Sequence, residues 1–75
     1  RVTYLSEPSL RRRVLLYLQD CRSRQGSDCF RLSLSREEMA AYLAVNRSAL
    51  SRELGRMQRE GLLEFYRSSF RLKNV

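Results

Sequence analysis

The segment Ser35-Arg36-Glu37-Glu38 limits the fold of this chain more than any other. A serine followed three residues later by a glutamate is a capping box. The hydroxyl accepts from a backbone N–H of the first helical turn, and the carboxylate reaches back to the N–H of the cap. A helix therefore starts at Arg36. Met39, Ala40 and Leu43 give it one apolar face, and Ala44-Val45-Asn46 interrupts the pattern, so it is short. Asn46 is itself a good N-cap. A second helix is predicted over residues 47–60, with Gly61 where a left-handed residue closes a helix. Two capped helices joined by so tight a turn can pack only across one another.

The flanking segments complete the pattern. A first helix is predicted over residues 7–24, with Ser6 as N-cap and Pro8 in its first turn, where a missing N–H costs nothing. Leu10, Val14, Tyr17, Leu18 and Cys21 form its apolar stripe. Arg11, Arg12 and Arg13 point mostly away from that stripe and read as a solvated face. Gly26 and Ser27 break the helix. Residues 29–34 alternate Phe30, Leu32 and Leu34 with polar groups, as a half-buried strand does. After Gly61 the period falls to two, which predicts a β-hairpin over residues 62–73 with Tyr66, Arg67, Ser68 and Ser69 at its polar tip. Tyr17, Phe30, Tyr42, Phe65 and Phe70 read as core or core-edge residues. Tyr66, next to the polar tip, fits either the core edge or a stacking platform, and Tyr4 has no assigned place. The whole is mainly α with a small β-hairpin: a winged helix-turn-helix domain spanning residues 1–75.

At 75 residues the chain is one small domain. A domain of that size buries only about 60% of its unfolded surface, which leaves no room for a deep catalytic cleft beside a core. It opens on Arg1 rather than Met, which predicts a piece of a longer protein. The net charge is +7, and 14 of the 15 basic residues are arginine. Arginine suits phosphate and guanine because its planar fork donates two parallel hydrogen bonds. The excess sits at the two ends: residues 1–25 and 46–75 carry +4 each, and residues 26–45 carry −1. Nucleic acid is the first candidate partner and an anionic membrane surface the second. No stretch approaches the roughly 18 apolar residues of a membrane span, and no apolar region marks a signal peptide. With two cysteines and no histidine, no metal site is expected; Cys21 and Cys29 read as thiols in a reducing compartment.

The helix over 47–60 carries the chemistry. At about 100° per residue, Leu50, Leu54 and Met57 fall on one side. Ser48, Ser51, Arg52, Gly55, Arg56 and Arg59 fall broadly on the other, with Arg47 on the flank. The leucines hold the helix down and the polar face is offered outward. The major groove of DNA admits a helix whose first residues read base edges, and arginine grips guanine O6 and N7 together. Ser48 and Ser51 are small enough to permit close approach. The helix N-terminus at Asn46 suits a phosphate, and Arg56 and Arg59, further along, are placed for phosphate or solvent.

The segments Ser35-Arg36-Glu37-Glu38-Met39-Ala40 and Val45-Asn46-Arg47-Ser48-Ala49-Leu50-Ser51-Arg52-Glu53-Leu54, followed by Glu60-Gly61-Leu62-Leu63, resemble the C-terminal DNA-binding domain of the CRP/FNR family of bacterial transcription regulators. The resemblance covers nearly the whole chain and is strongest over residues 34–74. It implies a positioning helix over 36–43 and a recognition helix over 47–60. In the family motif an arginine, an acidic residue and a second arginine read bases. Arg47 and Arg52 match the arginines, and Ser48 replaces the acidic residue. A glutamate there would accept a hydrogen bond from cytosine N4, whereas serine is far less selective. The family's best-known half-sites are therefore not expected here. Base readers are thus Arg47, Ser48, Ser51 and Arg52. The resemblance places Ser35 and Arg36 on phosphate, and the hairpin tip Arg67, Ser68 and Ser69 as a wing on the backbone. Asn46 and Arg56 complete the expected phosphate contacts. Ala44 stands where the family often has glycine.

The resemblance further implies double-stranded DNA as partner, with a palindromic operator, a homodimer in the full-length protein, RNA polymerase as a candidate partner and a bacterial cytoplasmic location. No cofactor is expected in this domain, since the family's effector binds an N-terminal domain. The alternative is a winged helix that binds protein and has only non-specific DNA affinity. An enzyme is disfavoured: there is no histidine, no phosphate-binding glycine loop and no plausible carboxylate pair.

Overall fold

A computed structural model describes residues 9–73. The elements run α1 (Leu10–Gln25), β1 (Cys29–Arg31), α2 (Arg36–Leu43), α3 (Arg47–Arg59), β2 (Leu63–Tyr66) and β3 (Ser69–Leu72). This is a winged helix-turn-helix, with three helices and one small antiparallel sheet.

The caps explain the boundaries. Ser35 and Glu38 form the full capping box, with Glu38 N–H to Ser35 Oγ at 3.1 Å and Ser35 N–H to Glu38 Oε1 at 2.9 Å. Asn46 Oδ1 accepts from the N–H groups of Ser48 and Ala49 at 2.8 and 3.2 Å. The first helix corrects the sequence expectation. It starts at Leu10, and Ser9 rather than Ser6 is its N-cap, with its hydroxyl accepting from Arg12 N–H. Ser6 and Pro8 lie outside the described residues, as does Tyr4.

The predicted hairpin forms as β2 and β3, and β1 joins it in a three-stranded sheet ordered β1-β3-β2. β1 pairs antiparallel with β3, Phe30 opposite Phe70, and β3 pairs with β2, Phe70 opposite Phe65. Only residues 29–31 of the predicted strand over 29–34 join it. Leu32 leaves the ladder by donating its N–H to Ser68 O at 2.8 Å. The tip is a two-residue turn, Arg67 and Ser68, since Tyr66 pairs with Ser69 across it. Arg67 supplies the left-handed residue with φ 56°, a role that glycine or asparagine usually fills.

The core lies between the helices and one sheet face. Val14 and Leu18 of α1, Met39 and Leu43 of α2, Leu50, Leu54 and Met57 of α3, and Leu63 and Phe70 of the sheet are fully buried. Each such side chain contributes on the order of 2 kcal/mol through the water it sheds. Phe65, Phe70 and Phe30 stack across the strands, with centroids 5.3 and 6.3 Å apart. Tyr42 departs from the expected core-edge role. It is 45% exposed and lays its ring against Tyr17 at 5.6 Å.

α2 and α3 close by the same hydrogen-bond pattern. Val45 N–H reaches Ala40 O at 2.9 Å and Ala44 N–H reaches Ala41 O at 3.2 Å; Leu62 and Gly61 repeat this on Met57 and Gln58 at 3.0 and 3.1 Å. This is the Schellman closure, which needs one left-handed residue. Gly61 meets that need at φ 80° without strain, while Ala44 meets it at φ 56° against its own Cβ. Ala44→Gly should therefore raise stability by about 1 kcal/mol, less the greater freedom of glycine in the unfolded chain. A urea melt should show a higher midpoint with an unchanged slope; a lower midpoint would mean that no strain is held at the turn.

Candidate nucleic-acid interface

The polar face of α3 is laid out as its spacing predicts. Leu50, Leu54 and Met57 are buried, whereas Asn46, Arg47, Ser48, Ser51, Arg52, Arg56 and Arg59 are exposed. Arg47, Ser48, Ser51 and Arg52 make one contiguous patch over the first turn and a half of the helix. Arg47 and Arg52 have no ion pair or side-chain hydrogen bond among the described residues. Asn46 Oδ1 is occupied by the cap, which leaves its Nδ2 donors facing outward. Likewise Ser35 Oγ accepts from Glu38, so its O–H remains free to donate.

Other arginines are built into the protein. Arg36 is half-buried, with its guanidinium over Phe70 at 4.9 Å and Phe65 at 5.4 Å. Its Nη2 donates to the Arg67 carbonyl at the wing turn. Burial lowers its pKa, and it stays charged because the ordinary value is so high. Arg36 thus ties the N-terminus of the positioning helix to the wing. At the wing itself, the Arg67 guanidinium lies over the Tyr66 ring at 5.3 Å, and Tyr66 is 72% exposed. Ser69 faces solvent and Ser68 is half-buried.

The arginine run of α1 is not a plain solvated face, and this corrects the sequence expectation. Arg13 Nη1 donates to Leu43 O at 2.8 Å and to Ala44 O at 3.3 Å, so it caps α2 at the turn into α3. Arg11 donates Nε to Glu53 Oε2 at 2.6 Å, and Nη1 and Nη2 to the two carboxylate oxygens of Glu60 at 2.7 and 2.9 Å. Glu53 gives its other oxygen to Arg56 Nη2 at 2.6 Å. One carboxylate of the recognition helix and one at its C-cap are thereby held by one side chain of α1. The sequence carries a signal for this pair: Glu53 sits beside the Leu50–Met57 seam, three residues before Arg56, where an unpaired carboxylate could not be buried. It is the buried charged residue among those described, at 6% exposure.

Burial works against the charge of Glu53, but hydrogen bonds from Arg56 and Arg11 outweigh it and hold the pKa below the usual carboxylate range. Glu60 is lowered too, first by its hydrogen bonds from Arg11. A depressed folded-state pKa adds stability above the unfolded pKa, and that stability is lost as pH falls through the folded value. Glu53→Gln should therefore cost about 2 kcal/mol at pH 7. That is less than the loss of a fully buried pair, because Arg56 and Arg11 can turn to water. Urea unfolding at pH 7 and again at pH 3 should show the gap to wild type closing in acid. A gap that persists at pH 3 would mean that packing rather than charge holds the pair.

Among the described residues no group of three histidine, cysteine, aspartate or glutamate side chains could hold a metal. Cys21 is buried and Cys29 exposed, both as free thiols. No helix among those residues is long and apolar enough to cross a membrane.

Comparison with curated proteins found no match. Residues 12–75 match the family described as the Crp-like helix-turn-helix domain. That span takes in all but the first two residues of α1, both helices of the helix-turn-helix and the whole wing. The family's activity is DNA binding in transcription regulation, not catalysis. With the capped helix pair, the wing and most of its length matched, this chain belongs to the Crp-like helix-turn-helix family of DNA-binding domains.

Proposed function

We propose that this domain is the sequence-reading output of an effector-controlled transcription regulator. α3 would enter the major groove with Arg47, Ser48, Ser51 and Arg52 at base edges. Ser35, Asn46, Arg56, Arg67, Ser68 and Ser69 would meet phosphates, with Arg36 offering the N–H groups not held by the wing. In a longer protein, an effector domain preceding this one would set the spacing of two such domains. A homodimer reading a palindrome places half-sites about 34 Å apart or at a multiple of that distance. RNA polymerase is the further partner that this arrangement would serve, in a bacterial cytoplasm.

One observation carries the reading. Arg11, Arg36 and Arg56 hold partners inside the protein, while Arg47 and Arg52, at the start of the recognition helix, hold none. A helix that needed charge only for solubility has no reason to leave those two unpaired beside two small serines. The competing reading, a protein-binding module, lacks such support. The exposed large apolar side chains among the described residues are Tyr42 and Tyr66, which lie on separate elements.

A selection from a random duplex library, with the domain held as a dimer at near-physiological salt, tests this. We expect a two-fold motif whose enrichment is lost with Arg52→Ala. Restoring the carboxylate with Ser48→Glu should add a preference for cytosine at one position, worth about 1–3 kcal/mol of discrimination. No enriched motif, with binding that follows ionic strength alone, would overturn the reading.

A further inference from the structure

We infer that Arg31 of β1 is a DNA-phosphate ligand that carries the contact surface past the wing, together with the exposed ring of Tyr66. This rests on the DNA-binding reading above and extends it to a strand that the reading leaves out.

The argument begins with the register. Arg31 pairs with Ser69 and Ser69 with Tyr66, so the three stand in one cross-strand row at the tip end of the sheet. The neighbouring row, Phe30, Phe70 and Phe65, points into the core. Successive residues of a strand face opposite ways, so the Arg31 row points outward. All three of its residues are exposed. With Leu32, Arg67 and Ser68 they line an open groove of about 340 Å³. No acidic residue lines it, and neither Arg31 nor Arg67 has an ion pair among the described residues. Beyond it, Glu64 lies 4.0 Å from Arg71 and 3.5 Å from Lys73, so both of those cations have a carboxylate beside them. Among the described residues of this face, the cations with none are Arg31 and Arg67 at the tip.

The groove is also fixed in place. The side-chain amide of Gln25 brackets the backbone of Arg31, donating to its carbonyl at 2.9 Å and accepting from its N–H at 3.3 Å. Leu32 N–H holds Ser68 O, and Arg36 holds Arg67 O, so β1 and α2 both pin the wing turn. Two guanidinium groups, two serine hydroxyls and a phenol then converge without a carboxylate to answer them. That donor set fits phosphate oxygens, and the apolar face of the tyrosine fits a sugar. Sheet order supplies the direction. β2 follows α3 and packs on it, β3 comes next, and β1 lies on the far side. Arg31 therefore reaches a phosphate further from the recognition helix than the hairpin alone can.

The test is the salt dependence of binding to a mixed-sequence 30-base-pair duplex, followed by fluorescence anisotropy for wild type, Arg31→Gln, Arg31→Lys and Arg52→Ala. Each phosphate neutralised contributes about 0.9 to the slope of log affinity against log salt. Arg31→Gln should lower that slope by about 0.9, weakening binding about eight-fold at 0.1 M salt and hardly at all near 1 M. Arg31→Lys should restore the slope, and thermal unfolding of both variants should match wild type. An unchanged slope for Arg31→Gln, while Arg52→Ala still weakens binding, would overturn this inference and leave the DNA-binding reading intact. Absence of salt-dependent binding by the wild type would overturn both. A slope that falls equally for Arg31→Gln and Arg31→Lys would also overturn it, since charge would not be the cause.

Discussion

The seam of Leu50, Leu54 and Met57 is the contact on which the rest depends. It fixes which side of α3 faces the core, and so which side carries arginine outward. Hydrophobic contact is non-directional, however, and three side chains in one line still let a short helix rock about that line. The Arg11 fork removes that freedom. It grips Glu53 in the middle of the helix and Glu60 just past its end. Arg13 meanwhile holds the turn that precedes the helix. α1 therefore sets the pose of the recognition helix at three places, two of them through ion pairs.

A chain with 14 arginines and eight carboxylates must decide which arginines are neutralised. Asp20 lies beside Arg24, Asp28 beside Arg22, Glu53 and Glu60 on Arg11, and Glu64 beside Lys73 and Arg71. Glu38 is absorbed by the capping box. Of the described acidic residues only Glu37 has no such partner, and it sits in the first turn of α2, where negative charge favours the helix. The carboxylates thus remove positive charge from α1 and from the outer rows of the sheet. Among the described residues, Arg47 and Arg52 at the start of α3 and Arg31 and Arg67 at the wing tip keep no carboxylate beside them.

What could be read from the sequence was what is local. A capping box spans four residues, and an N-cap with a following leucine period spans about ten, so α2, α3 and their turn were legible. So was the exposed set Arg47, Ser48, Ser51 and Arg52, because helical spacing alone assigns faces. The third strand was only half legible: residues 29–31 alternate, but their partner lies about forty residues on, across the wing. The Arg11–Glu53 bond spans 42 residues and the Arg13–Leu43 bond spans 30. Nothing in a run of three arginines says which finds a carboxylate and which a carbonyl. Arg36 shows the same limit. The family resemblance implies a phosphate contact there, and only the fold reveals the stacked phenylalanines and the wing carbonyl that hold it.

The positioning helix, the wing and the recognition helix are one mechanical unit. Arg36 joins the first helix of the pair to the wing turn, and Leu32 joins that turn to β1. Gln58 of α3 donates no charge but accepts from Phe65 N–H of β2 at 2.9 Å, which joins the recognition helix to the sheet. Moving any one of the three therefore strains polar bonds to the others. A surface so connected has little freedom to adapt to a mismatched duplex, because its donors cannot be repositioned singly. Under the proposed reading, rigidity of that kind would turn a misplaced base or phosphate into an unmade bond, so that a basic domain of 75 residues would gain discrimination from contacts that, taken one by one, recognise only charge.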